Sequence, residues 1–215
     1  MKKAIVIGGS RGIGKAIAAA LKSAGCNVVA TSKKDIDTSD LHSVKKFMKK
    51  HKQTDIIVLN TGGPPPKSFF EVKLEEWERY HRQLFLGFCL ILQEIKIRDG
   101  GYVFVITSSV IKEPNPNLVI SVAYRLAFTG VLKSISKNFA SRNISCINIA
   151  PGIIDTDRAL QLNSNLDSIA KSLPMGRIGK PEEIGNFVRS IIEKNIKYLS
   201  GIVVNFDGAA SNYVL

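Results

Sequence analysis

The sequence contains few of the side chains that bind metals or form disulfides, with 3 cysteines and 3 histidines among 215 residues. Cys26, Cys89 and Cys146 are far apart and form no C-x-x-C pair. An odd number of cysteines at such spacing argues against a disulfide framework and is typical of the reducing cytosol. The histidines share no ligand spacing with a cysteine or a carboxylate. We therefore predict no metal site and a cytoplasmic location.

Long apolar runs and acidic side chains are also scarce. No stretch reaches the roughly 18 consecutive apolar residues that span a membrane, so we expect no membrane partner. Acidic residues number 18 against 30 lysines and arginines, which gives a net charge of +12. Many lysines lie on the outer side of a predicted helix over Leu41–Lys50, as on a solvated helix face. Without interleaved aromatic residues this basic surface does not favour nucleic-acid binding, although it can attract a polyanionic cofactor.

The segment that organises the rest of the chain lies close to its N-terminus. A short apolar run, Ala4–Ile7, precedes Gly8, Gly12 and Gly14, and apolar residues then recur at helical spacing. This pattern predicts a strand, a tight turn and a helix. Such a turn can bind phosphate, because glycines let the backbone approach an anion and a helix N-terminus offers N–H groups. The alternative is an ordinary glycine-rich connection between a strand and a helix.

The end of the second predicted strand, Asn27–Thr31, bears on which nucleotide would bind. It is followed by Ser32, Lys33 and Lys34, with no acid at the position where one would bind a ribose. A carboxylate there would accept a hydrogen bond from a 2′-hydroxyl and repel a 2′-phosphate. Lys33 and Lys34, together with Arg11, instead supply positive charge to that phosphate. We therefore predict that NADP(H) is preferred over NAD(H).

Strands and helices alternate along the remaining chain. Too few residues separate Ser32 from Asp40, the predicted N-cap of the Leu41–Lys50 helix, for a crossover helix and a strand, so a loop is expected there. Further strands are predicted at 55–60, 102–107, 145–149 and 199–206, and helices at 74–97, at 119–141 and from Pro181 onward. This order predicts an α/β fold with a doubly wound parallel sheet. No repeat or linker divides it, so residues 1–215 are interpreted as a single domain.

Short motifs along nearly the whole chain follow the order seen in a known family. They are Gly8…Gly12-Ile13-Gly14, Asp37-Thr38-Ser39-Asp40, Asn60-Thr61-Gly62-Gly63, Thr107-Ser108-Ser109, Pro151-Gly152-Ile153-Ile154-Asp155-Thr156, the run from Pro174 to Glu183, and Ser200-Gly201 with Asp207-Gly208. The sequence thereby resembles the short-chain dehydrogenase/reductase family, and within it the 3-oxoacyl-carrier-protein reductases. The resemblance implies a Rossmann fold and NADP(H)-dependent hydride transfer between nicotinamide and a small carbonyl or alcohol substrate.

The resemblance also implies which residues contact the cofactor. These are Gly8, Ser10, Arg11, Gly12 and Ile13 at its phosphates, Asp37 at adenine, Asn60 and Gly62 at the adenosine ribose, and Pro151, Ile154 and Thr156 at the nicotinamide carboxamide. Residues 157–179 would form a substrate lid. The long helices predicted around 77–97 and 119–141 would form the interface of a homodimer or homotetramer.

The catalytic positions depart from the family pattern of asparagine, serine, tyrosine and lysine. Ser109 matches the serine. The family lysine lies five residues before a glycine, and Gly130 follows Arg125 by five, so Arg125 takes the lysine position and Ser121 that of the tyrosine. Choosing Tyr124 as the tyrosine would break this spacing. Leu84 stands where the asparagine is expected, seven residues after Trp77.

These substitutions leave two functions open. Arg125 keeps a positive charge that can hold the nicotinamide ribose. Ser121 is a much weaker acid than a phenol with a pKa of about 10, and Leu84 removes a proton relay. One interpretation is an NADP(H)-dependent oxidoreductase whose proton comes from Ser109, Tyr124, the substrate or water. The other is a catalytically impaired NADP(H)-binding protein that acts as a redox sensor or as a partner subunit.

Overall fold

The structure, a computed structural model, describes residues 1–162 and 165–213. Six parallel strands form one sheet in the order β2-β1-β3-β4-β5-β6. The strands are β1 Lys3–Val6, β2 Asn27–Ala30, β3 Gln53–Leu59, β4 Lys96–Ile106, β5 Ser145–Pro151 and β6 Ile202–Phe206. The predicted doubly wound parallel sheet is confirmed.

Helices cover both faces of this sheet. They are α1 Gly12–Ser23, α2 Leu41–Lys50, α3 Leu74–His81, α4 Gly87–Glu94, α5 Val119–Ala140, α6 Asp157–Leu162, α7 Leu166–Ser172 and α8 Pro181–Glu193. Apolar side chains of α1 and α8 pack on one face, and those of α2, α4 and α5 pack on the other. Successive residues of a strand face opposite sides of a sheet. Accordingly, Ile56 and Val58 lie in the first layer of the core, and Ile57 and Leu59 in the second.

The connection between β2 and α2 is short, as predicted. Within residues 31–40 there is no helix or strand. The Asp40 carboxylate accepts a hydrogen bond from the backbone N–H of His42 at 2.9 Å and caps α2. The loop lies directly against the start of α4, where a Cβ on Gly87 would collide with the carbonyl oxygen of Thr38. Gly87 therefore allows the backbone of this loop to approach the helix closely.

The helix predicted over 74–97 forms from Leu74 to Glu94, and the prediction is wrong at its C-terminal end. Helix α3 passes through one π-helical turn, Arg82–Leu86, into α4, and α4 ends at Glu94. Lys96 already pairs with Gln53 of β3, and Gly100 lies inside β4 rather than ending a helix. The error arises because Ile95 and Ile97, both buried, fit a helical apolar stripe as well as the alternation of a strand.

The segment predicted as a lid, residues 157–179, contains α6 and α7, while its residues 163 and 164 lie outside the described part of the chain. Its two ends meet in a bridge between Ile154 and Gly179. The backbone N–H of Asp155 donates to the Gly179 carbonyl at 2.8 Å, and the Gly179 N–H donates to the Ile153 carbonyl at 2.9 Å. The base of the segment is therefore fixed to the body of the fold.

Among the described residues, one helix is long and apolar enough to cross a membrane by length and composition alone. This is α5, with a mean hydropathy of 1.2 over the best window. Its sequence includes Arg125 and Lys133, so it is not an unbroken apolar run. Phe128 and Leu132 of α5 pack in the core, and its Arg125 is buried. A helix that packs on a sheet therefore accounts for this composition.

Candidate functional site

A cleft of about 1260 Å³ opens at the carboxyl ends of the strands. It is lined by the connections that follow β1 to β5, which is where ligands bind in open α/β sheets. Every residue assigned to the site from the sequence lines this cleft except Tyr124. The fold therefore brings the candidate cofactor residues and three of the four candidate catalytic residues into one place.

The turn after β1 depends on glycines for close packing. Gly8 has a φ of +63°, and a Cβ at Gly8 would lie 2.5 Å from the carbonyl oxygen of Asn60. A Cβ at Gly14 would collide with the Gly8 carbonyl oxygen, which also accepts a hydrogen bond from Asn60 Nδ2 at 3.0 Å. Helix α1 begins at Gly12, so its N-terminus adjoins the cleft. The arrangement suits an anion held by backbone N–H groups and the helix dipole.

The loop after β2 contains two carboxylates that are engaged within the loop itself. Asp35 accepts hydrogen bonds from the N–H and hydroxyl of Ser32 at 2.8 and 2.7 Å, which lower the pKa of its carboxyl. Asp37 pairs with Lys33 at 3.2 Å. Lys34 and Arg11 form no ion pair within the described residues. The positive charge of this loop is thus partly neutralised, more than the sequence suggested.

Arg125 is the most buried charged group of the cleft, at 8% exposure. Its Nε donates to Ser121 Oγ at 3.2 Å, and its Nη1 to the Ile106 carbonyl at 2.8 Å. Its Nη2 donates to the Thr61 carbonyl at 3.4 Å. Burial, and next the nearby charge of Arg158, lower the pKa of Arg125 to about 10, so it stays protonated at neutral pH. The guanidinium is therefore held between the ends of β3 and β4.

The hydroxyl groups of two candidate catalytic residues, Ser121 and Ser109, share the cleft with this guanidinium. Ser121 lies one helical turn before Arg125 and is 7% exposed. Ser109 begins a short 3₁₀ turn, Ser109–Ile111, and two residues separate this turn from the end of β4. The register chosen from Gly130 is thus compatible with the structure, since it places both members of the 121/125 pair in the cleft.

Tyr124 lies outside the cleft. Its ring contacts Trp77 edge-on at a centroid distance of 5.8 Å and His81 at 5.2 Å. Burial raises the pKa of its phenol. Leu84 is 1% exposed and packs with Ile120 in the same apolar cluster. Neither residue is placed to move a proton in the cleft.

Gln83 and Arg158 are among the cleft residues that the sequence analysis missed. Gln83, next to Leu84 in the π-helical turn, donates from Nε2 to the Gly62 carbonyl at 2.7 Å and to Thr61 Oγ1 at 3.3 Å. Arg158, in the first turn of α6, donates from Nη2 to the Pro64 carbonyl. The sequence indicated Gln83 only through its position next to Leu84, where the asparagine is expected. It indicated Arg158 only through its position two residues after Thr156.

Comparison with known proteins gives a consistent result. Residues 35–210 match the family described as enoyl-(acyl carrier protein) reductase. The chain is 31% identical to the 3-oxoacyl-[acyl-carrier-protein] reductase FabG of Chlamydia trachomatis over 96% of both chains, and 26% identical to that of Escherichia coli K12 over 96% of both.

Solved structures show the same fold. A short-chain dehydrogenase/reductase from Serratia marcescens aligns with a TM-score of 0.85 at 25% identity, covering 98% of both chains. The protein BdcA, solved with NADPH, aligns with a TM-score of 0.86 at 24% identity, covering 97% of this chain and 94% of BdcA.

Proposed function

This chain belongs to the short-chain dehydrogenase/reductase family, and we propose that it is an NADP(H)-dependent oxidoreductase that transfers hydride between nicotinamide and a carbonyl or alcohol substrate. The observation that carries the proposal is the cleft, because all the candidate cofactor residues line it. Such a site forms at the carboxyl edge of a parallel sheet, where the strand order reverses.

The residues present fit the cofactor. A Cβ at Gly8 or Gly14 would collide with the backbone of Asn60 or of Gly8, so these glycines keep the turn tight at the edge of the cleft, where a diphosphate would bind. Asn60 fixes this turn through its bond to Gly8. Pro151, Ile154 and Thr156 line the part of the cleft formed at and after the end of β5 and would hold the nicotinamide carboxamide. When bound, NADPH supplies the hydride.

Charge in the loop after β2 supports the preference for NADP(H). Lys34 and Arg11 are exposed and lie along the cleft together with Ser32. Asp35, the carboxylate closest to Ser32, is held by hydrogen bonds and does not line the cleft. Lys33 forms an ion pair with Asp37, which partly neutralises its charge. The balance still favours a 2′-phosphate over a free 2′-hydroxyl.

The pair of Ser121 and Arg125 is our candidate for handling the proton. When hydride reaches a carbonyl carbon, negative charge develops on the oxygen. Arg125 donates Nε–H to Ser121 Oγ, which leaves the Ser121 hydroxyl proton available to that oxygen. The fixed positive charge of Arg125 would stabilise the developing anion. Water would restore the proton to Ser121, and Ser109 would help orient the substrate.

A second candidate function is an NADP(H)-binding protein with little or no catalysis, acting as a redox sensor or as a partner subunit. Leu84 and Tyr124 favour it, because one is an apolar core residue and the other faces away from the cleft. In that case the cofactor would still bind, but the chemical step would lack an efficient acid.

We also infer a homodimer or homotetramer in the cytoplasm. Apolar side chains on and near α3 and α5 are exposed in a single chain, namely Phe69, Phe70, Leu74 and Leu126. Burial of such a group is favourable at about 25 cal/mol per Å². Light scattering coupled to size exclusion at micromolar concentration is expected to exceed the mass of one 23.5 kDa chain. Particles of a single chain only would contradict the inference.

The first test is titration with NADPH and with NADH, followed by a panel of ketones and alcohols in the same sample. Tighter binding of NADPH with turnover supports the oxidoreductase. Ser121→Ala should then lower kcat while leaving NADPH affinity unchanged. Tyr124→Phe is the control, and it should change neither quantity. Binding without any turnover supports the second candidate, and no binding of either cofactor rejects both.

A further inference from the structure

Two arginines face each other across the backbone at Gly63. A Cβ at Gly63 would lie 3.7 Å from Nη2 of Arg125 and 3.5 Å from Nη2 of Arg158. Arg125 is buried and Arg158 is half-buried, and both line the cleft. They come from different elements, α5 and α6, so the fold itself brings the two charges together.

Neither guanidinium has a carboxylate partner within the described residues. Their hydrogen bonds go to Ser121 and to carbonyl oxygens of Ile106, Thr61 and Pro64. These bonds fix the geometry but leave two positive charges uncompensated, which is costly in a partly desolvated site. Burial first, with the charge of Arg158 adding to it, lowers the pKa of Arg125.

The carboxylates that line the same cleft do not neutralise the pair. Asp37 is paired with Lys33 at the far end of the loop after β2. Glu113 accepts hydrogen bonds from Asn212, with 3.0 Å between Oε1 and Nδ2. Asp157 is exposed and forms no ion pair within the described residues. An anionic ligand would provide the missing charge.

We propose that Arg125 and Arg158 form an anion site that binds a carboxylate of the substrate, so that the preferred substrate is an oxo acid or its hydroxy acid. This inference rests on the proposed function and specifies its substrate. A guanidinium presents a planar fork of N–H groups that matches a carboxylate. Arg125 also contacts Ser121, so a bound carboxylate would place a neighbouring carbonyl beside the candidate proton donor.

The diphosphate of the cofactor is the other anion that could occupy this site. The glycine turn and the N-terminus of α1 already provide a place for a diphosphate at the end of β1. The two arginines instead lie at the ends of β3 and β4, next to Ser121. The position therefore favours the substrate, and the experiment must separate the two sources.

The test uses acetoacetate and its uncharged methyl ester, titrated into the chain saturated with NADP⁺. Because NADP⁺ and the ketone are both in their oxidised forms, no hydride transfer occurs, and binding is measured even if the protein is not an enzyme. We expect acetoacetate to bind at least tenfold more tightly than the ester. Arg158→Ala should abolish this preference, Arg158→Lys should keep part of it, and Arg82→Ala, which removes an arginine paired with Glu78 outside the cleft, should keep all of it.

Equal affinity of wild type for the acid and the ester would overturn the proposal. So would an Arg158→Ala variant that loses affinity for NADP⁺ by the same factor as for acetoacetate, because the site would then belong to the cofactor. If NADP⁺ does not bind, the proposed function fails. The same titrations without cofactor then test the anion site by itself. A preference for acetoacetate over the ester that requires Arg158 supports the site, and the absence of that preference rejects it.

Discussion

The Nε atom of Arg125 lies 3.2 Å from the Oγ atom of Ser121, one turn earlier on the same helix. The spacing to Gly130 predicts that Arg125 takes the position of the family's lysine and Ser121 that of its tyrosine. The contact keeps the spatial relation of a cation and a hydroxyl, but it replaces an acidic phenol by an alkyl hydroxyl. On this alignment the arrangement of cation and hydroxyl is kept, while the acid strength of the hydroxyl is much lower.

Restoring the family side chains should raise activity. The double variant Ser121→Tyr with Arg125→Lys introduces a phenol that the lysine can bring into working range, and general acids contribute roughly 10²- to 10⁴-fold. Because Ser121 lines the cleft, a larger ring has room to extend into it. We expect at least a tenfold gain in kcat/KM for ketone reduction. Ser121→Phe with Arg125→Lys is the matched control, and an equal gain in that variant would contradict the explanation.

Substitution of Gly14 should disrupt the turn after β1. In Gly14→Ala the new Cβ meets the Gly8 carbonyl and lies 2.7 Å from Asn60 Nδ2. Overpacking of this kind costs about 1–3 kcal/mol, and urea denaturation together with NADPH titration should show both a loss of stability and a loss of affinity. Gly130→Ala is the control, because nothing lies within 4 Å of its Cβ position. It should stabilise the chain by up to about 1 kcal/mol.

Removal of a lysine charge should narrow the preference for NADPH. Lys34→Ala is expected to weaken NADPH binding by about fivefold to tenfold, as for the loss of one charge-assisted contact. NADH affinity should stay the same, because NADH lacks the 2′-phosphate. Lys50→Ala removes an equal charge from the last turn of α2, outside the cleft. Parallel losses of NADPH and NADH affinity in Lys34→Ala would assign the lysine a general electrostatic role.

The N-terminus of α8 should make stability depend on acidic pH. Glu183 bonds Arg177 through both carboxylate oxygens, at 2.7 and 2.9 Å, and also accepts from the Lys180 N–H. Chiefly through Arg177, the pKa of Glu183 is lowered to about 2 from 4.5. Because the pKa of Glu183 is lower in the folded chain than in the unfolded chain, its carboxylate stabilises the fold at pH values above the unfolded pKa of 4.5. This contribution disappears as the pH falls from 4.5 toward 2.

The size of this effect is limited because both side chains are partly exposed. Exposed pairs contribute up to about 1 kcal/mol. Glu183→Gln should therefore lower the free energy of unfolding by less than that at neutral pH, with the difference shrinking below pH 4.5, as measured by urea denaturation at several pH values. A difference that is constant with pH would show that the carboxylate charge is not involved.

Local signals predicted much of the fold and many of the residues that line the cleft. Helix α2 was bounded correctly because Asp40 caps it and an apolar stripe follows at once. The contact between Ser121 and Arg125 was predicted because the spacing to Gly130 selected two residues one helical turn apart. In each case the deciding residues lie within a few positions of one another along the chain.

The remaining parts depend on contacts between distant segments. The end of α4 was misplaced because Lys96 leaves the helix to pair with β3, and that pairing is not encoded locally. The juxtaposition of Arg125 and Arg158 requires α6 to fold over the loop after β3. No periodicity in either segment indicates it. Sequence therefore predicted the residue types of the site better than their partners.

The bridge between Ile154 and Gly179 has a consequence for how this chain can acquire new specificity. Because it holds both ends of the intervening segment together, that segment behaves as a closed loop inserted into a finished framework. The entropic cost of closing a loop rises only with the logarithm of its length. Residues can therefore be inserted, deleted or replaced in the segment that contains Arg158 without preventing the strands and the glycine turn from folding.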